Sequence, residues 1–497
     1  MSHNKTAVII GAGIGGITTA LYLAKSGYSV KIFEKNASAG GRCGQIIREG
    51  HRFDLGATIL LMPSIYRTVF QSLDIDFDHD FQKYPLDTLY KIYFENGPEI
   101  EFTTRHEHLK EQLERIEKGS YQKAIAYIDK GYSFFNQSIE KLLGRNFTSF
   151  SEFATFTNLI LLIKLKSYIR HRVFIKRYFQ NPFLQKAFTF QNIYVGQNPL
   201  TAPALFAMIP ASELSEGSFF PKGGMYGVTE MLLGEAGKMD IQFYFNKPVT
   251  RIITENKKVT GIITQENETI PASVVVANAD LPYVHRELLD DRRRAAKIDS
   301  MKFSCSAIVL HWGLDMQYNS LKHHNVFLSK DYRHNLAEIF KHQSLGPNPS
   351  FYVHAPARTD PAAAPSGEDS LSVIIPSGHL GPRNHNDWNE LKTLARSAVL
   401  RRLKEAGLND IERHIKFEIC YLPQTWKSIY NLSRGATFGS LAHNIFQMGY
   451  FRPHNRHPRY HNLYFTGGST HPGNGVPLVL LSAKLTAERI LTEIQHD

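Results

Sequence analysis

Residues 7 to 42 constrain the fold of this chain more than any other stretch. Continuous apolar runs predict parallel strands that are buried on both faces, and a glycine-rich turn between two such runs leads into a helix. The predicted elements, in order, are a strand over residues 7–10, a turn containing Gly11, Gly13 and Gly16, a helix over residues 17–26, a strand over residues 29–33, and then Glu34. This order predicts a βαβ unit at the start of a doubly wound α/β domain.

The three glycines and the acid predict a dinucleotide site on this unit. Gly11 permits the tight turn, Gly13 lets the backbone approach a pyrophosphate, and Gly16 lets the helix pack closely on the strand. The diphosphate would then face free N–H groups at the positive end of the helix. An acid about 20 residues further on, here Glu34, binds ribose hydroxyls and repels a 2′-phosphate. The pattern therefore favours NAD or FAD over NADP.

Two segments after Glu34 bear on the choice between NAD and FAD, because FAD is the longer molecule and needs more contacts. Arg42 follows Gly40 and Gly41. This loop predicts a contact with a further phosphate or with the isoalloxazine edge, and an ordinary loop is the alternative. Thr58 and Ile59 lie in an apolar run with an embedded glycine, which predicts either backbone against a planar ring or plain core.

After a long excursion the chain returns to strand patterns. Residues 249–265 alternate around a hairpin-like pair, and residues 273–277 predict a buried strand. Val249 predicts a backbone contact with an adenine edge. Asn278 and Asp280 follow the buried strand, at the end where ligands bind in doubly wound folds.

A second glycine-rich corner lies within residues 462–490, which predict a strand, a loop and an apolar helix over residues 479–490. Pro477 fits the first turn of this helix, where its missing N–H needs no partner. Gly468, Gly475 and Val476 are the predicted cofactor contacts. A reduced flavin carries negative charge near N1, and free amides at a helix N-terminus stabilise that charge.

Length and charge limit the other possibilities. A chain of 497 residues predicts two or three domains. The net charge of +11 favours anionic partners, but no finger, basic zipper or RNA-binding motif is present, so we predict no nucleic-acid partner. The 3 cysteines lack the spacing of a disulfide framework or a zinc site, which favours a reducing cytoplasm. The 22 histidines show no H-E-x-x-H spacing, so the sequence predicts no metal.

The chain between the two corners predicts a second sheet and a helical part. Alternating runs around the Asn96-Gly97 turn predict a hairpin over residues 90–102, and residues 305–313 and 370–375 predict long strands of the same antiparallel sheet. Residues 159–179 predict one helix with many basic side chains. Either it is a core helix with a charged face, or it lies on an anionic membrane surface with its basic chains reaching the headgroups. No run approaches the length of a membrane span.

The second corner also carries a family resemblance. The run Thr470-His471-Pro472-Gly473-x-Gly475-x-Pro477, followed by Ser482-Ala483-Lys484, closely resembles the C-terminal signature of the bacterial-type phytoene desaturases, which are FAD-dependent carotenoid desaturases. The resemblance extends over nearly the whole chain. It includes the glycine turn and Glu34, residues 40–42, residues 53–56, residues 220–224, residues 273–280 and the Phe451-Arg452-Pro453-His454-Asn455-Arg456 run.

The resemblance implies an α/β fold made of three parts. These are a discontinuous Rossmann-like FAD-binding domain of the glutathione-reductase type, an antiparallel-sheet substrate domain and a helical membrane-associating part. The expected limits are residues 1–75, 222–285 and 455–497 for the FAD domain, residues 76–106 and 286–454 for the substrate domain, and residues 107–221 for the helical part. The implied cofactor is FAD, and the implied location is the cytoplasmic, inner face of a membrane as a peripheral protein.

The implied substrate is a C40 polyene drawn from the bilayer. Phytoene desaturases usually have Gly-Ala-Gly-Thr and Ala-Gly-Ile-Pro-Gly-Val where this chain has residues 467–470 and 474–479. The Pro-Leu-Val-Leu-Leu continuation resembles the branch that carries out 3,4-desaturation of 1-hydroxycarotenoids. The alternatives are a phytoene desaturase, an amine oxidase-like flavoenzyme with a soluble substrate, an isomerase or a carrier. His471 is the candidate base for the proton that leaves the substrate, and a structural loop histidine is its alternative.

Overall fold

The computed structural model describes residues 5–381 and 386–494. The strands are β1 Thr6–Ile10, β2 Ser29–Phe33, β3 Gln45–Arg48, β4 His51–Asp54, β5 Lys83–Pro85, β6 Thr88–Phe94, β7 Glu99–Thr103, β8 Phe219–Pro221, β9 Gln242–Tyr244, β10 Val249–Glu255, β11 Lys258–Thr264, β12 Thr269–Pro271, β13 Val274–Ala277, β14 Ser306–Leu314, β15 His324–Leu328, β16 Phe351–His354, β17 Asp369–Ser377, β18 Ile415–Tyr421 and β19 Leu463–Phe465. The α-helices are α1 Ile14–Lys25, α2 Pro63–Gln71, α3 His106–Glu114, α4 Ser120–Ser138, α5 Phe150–Phe153, α6 Phe156–Lys164, α7 His171–Phe174, α8 Pro182–Ala187, α9 Met208–Glu216, α10 Tyr226–Lys238, α11 Leu281–Tyr283, α12 Arg292–Asp299, α13 Tyr332–Ala337, α14 Trp388–Glu405, α15 Pro423–Tyr430 and α16 Val476–Ile494.

A five-stranded parallel sheet in the order β19-β13-β1-β2-β9 gathers strands from distant parts of the chain. Ala7 of β1 lies opposite Val274 of β13 on one side and Val30 of β2 on the other. Every residue of β13 is buried, as its unbroken run of apolar side chains predicts. Helix α1 packs against α16, so the two glycine-rich corners lie on one side of the molecule. The predicted βαβ unit is confirmed.

A seven-stranded sheet in the order β18-β14-β17-β16-β15-β6-β7 forms the second layer. Its pairs are antiparallel except for β15 with β6. The predicted hairpin is β6–β7, and Asn96 in its turn has a φ of +57°. Strands β14 and β17 are the predicted long strands, and Trp312 and Val373 on their apolar face belong to a separate core. The predicted fold class is confirmed, whereas the domain limits stay a prediction.

Two predicted helices begin earlier than expected. Helix α1 starts at Ile14 rather than at residue 17, and α16 starts at Val476 rather than at residue 479. In α1 the first turn contains Gly15 and Gly16. Glycine is needed inside this helix because the helix packs closely on the turn. A Cβ on Gly16 would lie 2.2 Å from the carbonyl oxygen of Gly11.

The single basic helix predicted over residues 159–179 is wrong. Helix α6 ends at Lys164, Lys166 has a φ of +50°, and the chain is not helical again until α7. Tertiary pairing causes this break, because the segment around Arg170 forms a bridge with Pro203 and backbone bonds with residues 202 and 204. No helix in the described ranges 5–381 and 386–494 is long and apolar enough to cross a membrane.

Candidate active site

A groove runs along the carboxyl ends of the parallel strands, where doubly wound folds bind ligands. It collects most of the predicted cofactor residues from both corners of the sequence. The predicted residues that line the groove are Gly11, Gly13, Glu34, Arg42, Val249, Asn278, Asp280, Gly468, Gly475 and Val476. Gly16 lies directly behind Gly11, against its carbonyl oxygen.

The floor of the groove is backbone that only glycine permits. Gly11 has a φ of +99°, and a Cβ there would lie 2.6 Å from the carbonyl oxygen of Asn278. Gly13 precedes the first residue of α1 and has no side-chain cap, so the first N–H groups of this helix face the groove. Asn278 donates from Nδ2 to the Gly11 carbonyl at 3.2 Å. Asn278 therefore supports the turn as well as lining the groove.

Glu34 is held firmly at the end of β2. Its Oε2 accepts from the Ala12 N–H at 2.8 Å, and its Oε1 accepts from the backbone and side-chain N–H groups of Asn36 at 2.9 Å each. A carboxylate offers about four lone-pair positions. The arrangement fixes the carboxylate and leaves acceptor capacity for a hydroxyl of a ligand.

Arg42 and Asp280 both line the groove and interact electrostatically. Arg42 Nη1 donates to the Thr437 carbonyl at 2.9 Å, and Asp280 Oδ2 accepts from the Ser433 N–H at 2.8 Å. Burial raises the pKa of Asp280, and the Arg42 charge opposes that rise. Burial likewise lowers the pKa of Arg42, against the effect of Asp280. Each charge therefore helps to keep the other ionised in a desolvated site.

An apolar cavity meets the groove. Residues of the helical part, of the seven-stranded sheet and of α16 form its walls, which are almost entirely apolar. Thr58 and Ile59 line this cavity and not the groove. The residues that line both spaces, and so mark their junction, are Gly56, Ala57, Tyr194, Ile374, Phe438, Asn474, Gly475 and Val476.

Comparison with known proteins identifies the cofactor that fits this groove. The family model for flavin-containing amine oxidoreductases matches residues 14–491. The chain is 34% identical to a zeta-carotene-forming phytoene desaturase of Myxococcus xanthus over 493 residues, with 99% of this chain and 95% of the relative covered. It is 32% identical to a 4,4′-diapophytoene desaturase of Staphylococcus aureus, with 98% and 99% covered.

This chain belongs to the flavin-containing amine oxidoreductase family. Its curated relatives include phytoene and diapophytoene desaturases, which confirms the predicted family. The fold is also that of a solved putrescine oxidase bound to putrescine, with a TM-score of 0.64, 12% identity and coverage of 98% of this chain and 99% of that one. The chain is therefore an FAD-dependent oxidoreductase.

The residues present fit FAD on three observations. The glycine turn brings bare backbone to the groove, as a pyrophosphate requires, and a Cβ on Gly11 or Gly13 would come within 2.6 or 3.0 Å of Asn278. The Glu34 carboxylate retains acceptor capacity at the end of β2, where a ribose binds. The N-terminus of α16, at Val476, lies at the junction with the apolar cavity, where the ring system of a flavin would meet a substrate. Each predicted residue's own contact with FAD stays a prediction.

His471 contacts backbone carbonyls of distant segments. Its ring lies outside both the groove and the cavity, with Nε2 3.0 Å from the Arg145 carbonyl oxygen and Nδ1 3.3 Å from the Gly449 carbonyl oxygen. Burial lowers its pKa to about 4, so the ring is neutral and donates one proton to a backbone carbonyl. These contacts favour the alternative of a structural loop histidine, because the ring ties together segments that are distant in sequence. The role of His471 as the base stays a prediction.

Three residues that support or line the site were not predicted as site residues from the sequence. Arg452 is buried and donates from Nε to the Thr470 carbonyl at 3.0 Å and from Nη2 to the Gly468 carbonyl at 2.6 Å. Asn455 donates from Nδ2 to the His471 carbonyl at 3.0 Å. Both hold the glycine-rich loop before α16, and the Phe451-to-Arg456 motif was the available signal. His443 is the one histidine among the described residues that line the apolar cavity.

Proposed function

We propose that this flavoenzyme is a carotenoid desaturase that introduces C=C bonds into a C40 polyene, with 3,4-desaturation of a 1-hydroxycarotenoid as its reaction. The observation that carries the proposal is the apolar cavity that opens onto the flavin groove at Gly475 and Val476. A polyene has no charge and almost no polar groups, so it fits an apolar cavity. A small cationic amine would find almost no polar partners on these walls. The names of the curated relatives support the reaction class.

The finer substrate assignment rests on the run from Pro477 to Leu481 after the second corner. Its sequence departs from that usual in phytoene desaturases and resembles the 1-hydroxycarotenoid branch. Phytoene is the second candidate substrate, because the curated relatives include phytoene desaturases at 34% and 36% identity.

Desaturation removes two hydrogens from adjacent carbons, one with its electron pair and one as a proton. FAD, when bound, supplies the acceptor for the hydride. The apolar walls hold the polyene and exclude water, and the N-terminus of α16 stabilises negative charge at the groove. The imidazole of His443 lies on the cavity wall, and burial keeps it neutral by lowering its pKa well below the usual range. We propose that this ring takes the leaving proton and passes it on, because an imidazole with so low a pKa is too weak a base to hold it.

A patch of exposed apolar side chains supports delivery of the substrate from a membrane. We call it the apolar patch; its members are Phe150, Phe156, Leu159, Ile160, Ile163, Tyr168, Ile445, Phe446 and Phe451. Ile445 and Phe451 also line the cavity, so the patch reaches the cavity mouth. Ring contacts join Phe150 and Phe153 to Tyr450, which holds the two segments together.

Exposed basic side chains flank the patch at Lys164, Arg170, Lys176 and Arg177. Apolar side chains that enter the acyl region, with cations that face anionic headgroups, are the features of a peripheral membrane surface. We propose that the patch lies on the cytoplasmic face of the membrane and takes up the polyene directly through the cavity mouth.

The substrate is tested with liposomes that contain one carotenoid at a time, chosen from phytoene, an acyclic hydrocarbon carotenoid and a 1-hydroxycarotenoid. The proposal expects a red shift in the extract of the hydroxylated carotenoid and bleaching of the flavin under anaerobic conditions. The flavin-deficient variant Glu34→Lys is the control. A red shift with phytoene alone selects the second candidate. Turnover of amines without bleaching by any polyene contradicts the desaturase proposal.

The membrane surface is tested by flotation with anionic liposomes. The double variant Phe156→Ser, Ile163→Ser should lose binding. The double variant Lys164→Gln, Arg170→Gln should bind more weakly than the wild-type protein at low salt, and this difference should shrink at high salt because salt screens the attraction to the headgroups. The matched control is Ile47→Ser, since Ile47 is 71% exposed on β3 outside the patch. Equal flotation of the patch variants and the control would refute this part of the proposal.

A further inference from the structure

Three buried histidines form a cluster at one end of the β15–β16 pair, outside both the groove and the cavity. His324 of β15 lies opposite His354 of β16 in the sheet register, and His323 directly precedes β15. One nitrogen of each ring lies within 4.8 Å of a nitrogen of each other ring. The three residues are 5%, 1% and 0% exposed for His323, His324 and His354. Phe220 packs edge-on against two of the rings.

Hydrogen bonds on the outer side of two rings determine which nitrogen faces the cluster. Tyr352 donates its phenol proton to Thr58 Oγ1 at 3.0 Å, and its oxygen lies 2.6 Å from His324 Nδ1. Since the phenol proton is used on Thr58, His324 Nδ1 carries the proton and donates to Tyr352. His323 Nδ1 lies 2.7 Å from Thr359 Oγ1, and we assign it the same tautomer. Both rings then present an Nε2 lone pair to the cluster.

The ring nitrogens of the cluster have few protein partners. His323 Nε2 lies 3.1 Å from His354 Nε2. His324 Nε2 and His354 Nδ1 have no hydrogen-bond partner among the described residues. A buried polar atom without a partner costs about 1–3 kcal/mol, and a cation bound between the rings would satisfy the lone pairs.

We propose that His323, His324 and His354 bind one divalent transition-metal ion, for which zinc is the best-suited candidate. Imidazole nitrogens suit zinc and its neighbours in the first transition row, and three histidines are a known zinc ligand set. The ion links β15 to β16. It also holds Tyr352, through His324, against Thr58 on the wall of the apolar cavity.

The surroundings of the cluster agree with a bound cation. Burial lowers the pKa of all three rings well below the usual range, so they are in the neutral form that binds metals. The two nearby guanidinium groups are each paired with a carboxylate, Arg52 with Asp360 and Arg358 with Asp369. Thr359 and Tyr352 lie at the outer Nδ1 atoms of His323 and His324, and a hydrogen bond at this position orients a metal-binding ring.

A second group of candidate ligands fails the same tautomer argument. His285, Asp291 and His457 also lie within reach of one another. However, His457 Nδ1 accepts from the backbone N–H groups of Arg459 and Tyr460 at 3.1 and 3.0 Å. Its Nε2 therefore carries the proton and has no lone pair for a metal. This group supplies a matched control.

The experiment uses untagged protein with its FAD bound, treated with a chelator, dialysed and then given Zn²⁺ or Co²⁺. The proposal expects about one ion per chain by elemental analysis and a Co²⁺ ligand-field spectrum. His354→Gln should abolish this binding, Thr359→Val should weaken it by about 10-fold to 100-fold, and His457→Gln should retain it.

Flavin content and circular dichroism establish that each variant is folded. If His354→Gln does not fold, the comparison of Thr359→Val with His457→Gln decides the question. The proposal is overturned if the wild-type protein binds far less than one equivalent, or if the folded cluster variants bind as much metal as His457→Gln.

Discussion

At the scale of single residues, the glycines of the first corner are needed because of the atoms around them. A Cβ on Gly16 would lie 2.2 Å from the Gly11 carbonyl oxygen, so even alanine cannot enter without moving the turn. Gly234 on α10 has open space around it. Comparing alanine substitutions at Gly16 and Gly234 therefore separates the effect of close packing from the effect of losing a glycine.

We therefore expect Gly16→Ala to purify with little flavin and to be destabilised. Gly234→Ala should keep its flavin and gain up to about 1 kcal/mol, because alanine favours a helix over glycine. The measurements are flavin absorbance per chain and the free energy of unfolding. Full flavin content in Gly16→Ala would show that the turn can relax.

Substitutions of His443 and His471 should have different effects. His443→Gln should keep its flavin and lose turnover by about 10²-fold or more, the usual contribution of a general base. His471→Gln should lose about 1–3 kcal/mol of stability through its unpaired carbonyl partners, with turnover per bound flavin retained. Thermal unfolding and turnover per flavin are the measurements. Normal turnover in His443→Gln would remove this ring from the proposed mechanism.

At the scale of elements, helix α9 carries a buried acid behind the junction of groove and cavity. Glu213 Oε2 accepts from the Tyr90 hydroxyl at 3.3 Å, and burial raises its pKa to about 8. The folded chain therefore keeps this proton up to about pH 8, while the unfolded chain releases it near the ordinary value of 4.5. Between pH 4.5 and about pH 8 the folded state therefore binds more protons than the unfolded state, so the free energy of unfolding falls as pH rises through this range.

Glu213→Gln should remove that part of the pH dependence. At pH 5 the variant and the wild-type protein should have similar stability. At pH 8.5 the variant should be more stable by roughly a few kcal/mol. Denaturant unfolding across this pH range measures the difference, with the exposed Glu255→Gln as the control variant. Parallel curves for Glu213→Gln and wild type would show that the carboxyl is already ionised in the folded chain.

At the scale of the whole molecule, the flavin groove joins distant parts of the chain. Gly11, Val249 and Gly475 all line it. A ligand that binds only where these segments meet stabilises the assembled fold, by about 2.7 kcal/mol at a free concentration of 100 times its dissociation constant.

Adding FAD to the apoprotein should therefore raise the melting temperature in proportion to the logarithm of FAD concentration once the site is saturated. Differential scanning fluorimetry of the apoprotein with FAD, and with NAD as the comparison ligand, measures this. A melting temperature that does not change with FAD would contradict binding at the junction of these segments.

The sequence by itself determined the features that depend on local chemistry. The βαβ unit follows from two apolar runs and a glycine whose φ of +99° other residues avoid. The β6–β7 hairpin follows from alternation around a turn at Asn96, and the β10–β11 hairpin from alternation around Asn256. Pro477 marks the first turn of α16, although the helix begins at Val476, before its predicted start. These signals are readable because their causes lie within a few residues of one another.

Only the tertiary structure decided the features that depend on distant partners. Residues 159–179 have the composition of one helix, yet pairing with residues 202–204 divides it. His471 resembles a catalytic residue, yet the carbonyl of Arg145 holds its ring away from both cavities. His323 and His354 are 31 positions apart and meet only through the register of two strands. Chain folding sets these contacts, because hydrogen-bond partners and burial are properties of the assembled molecule.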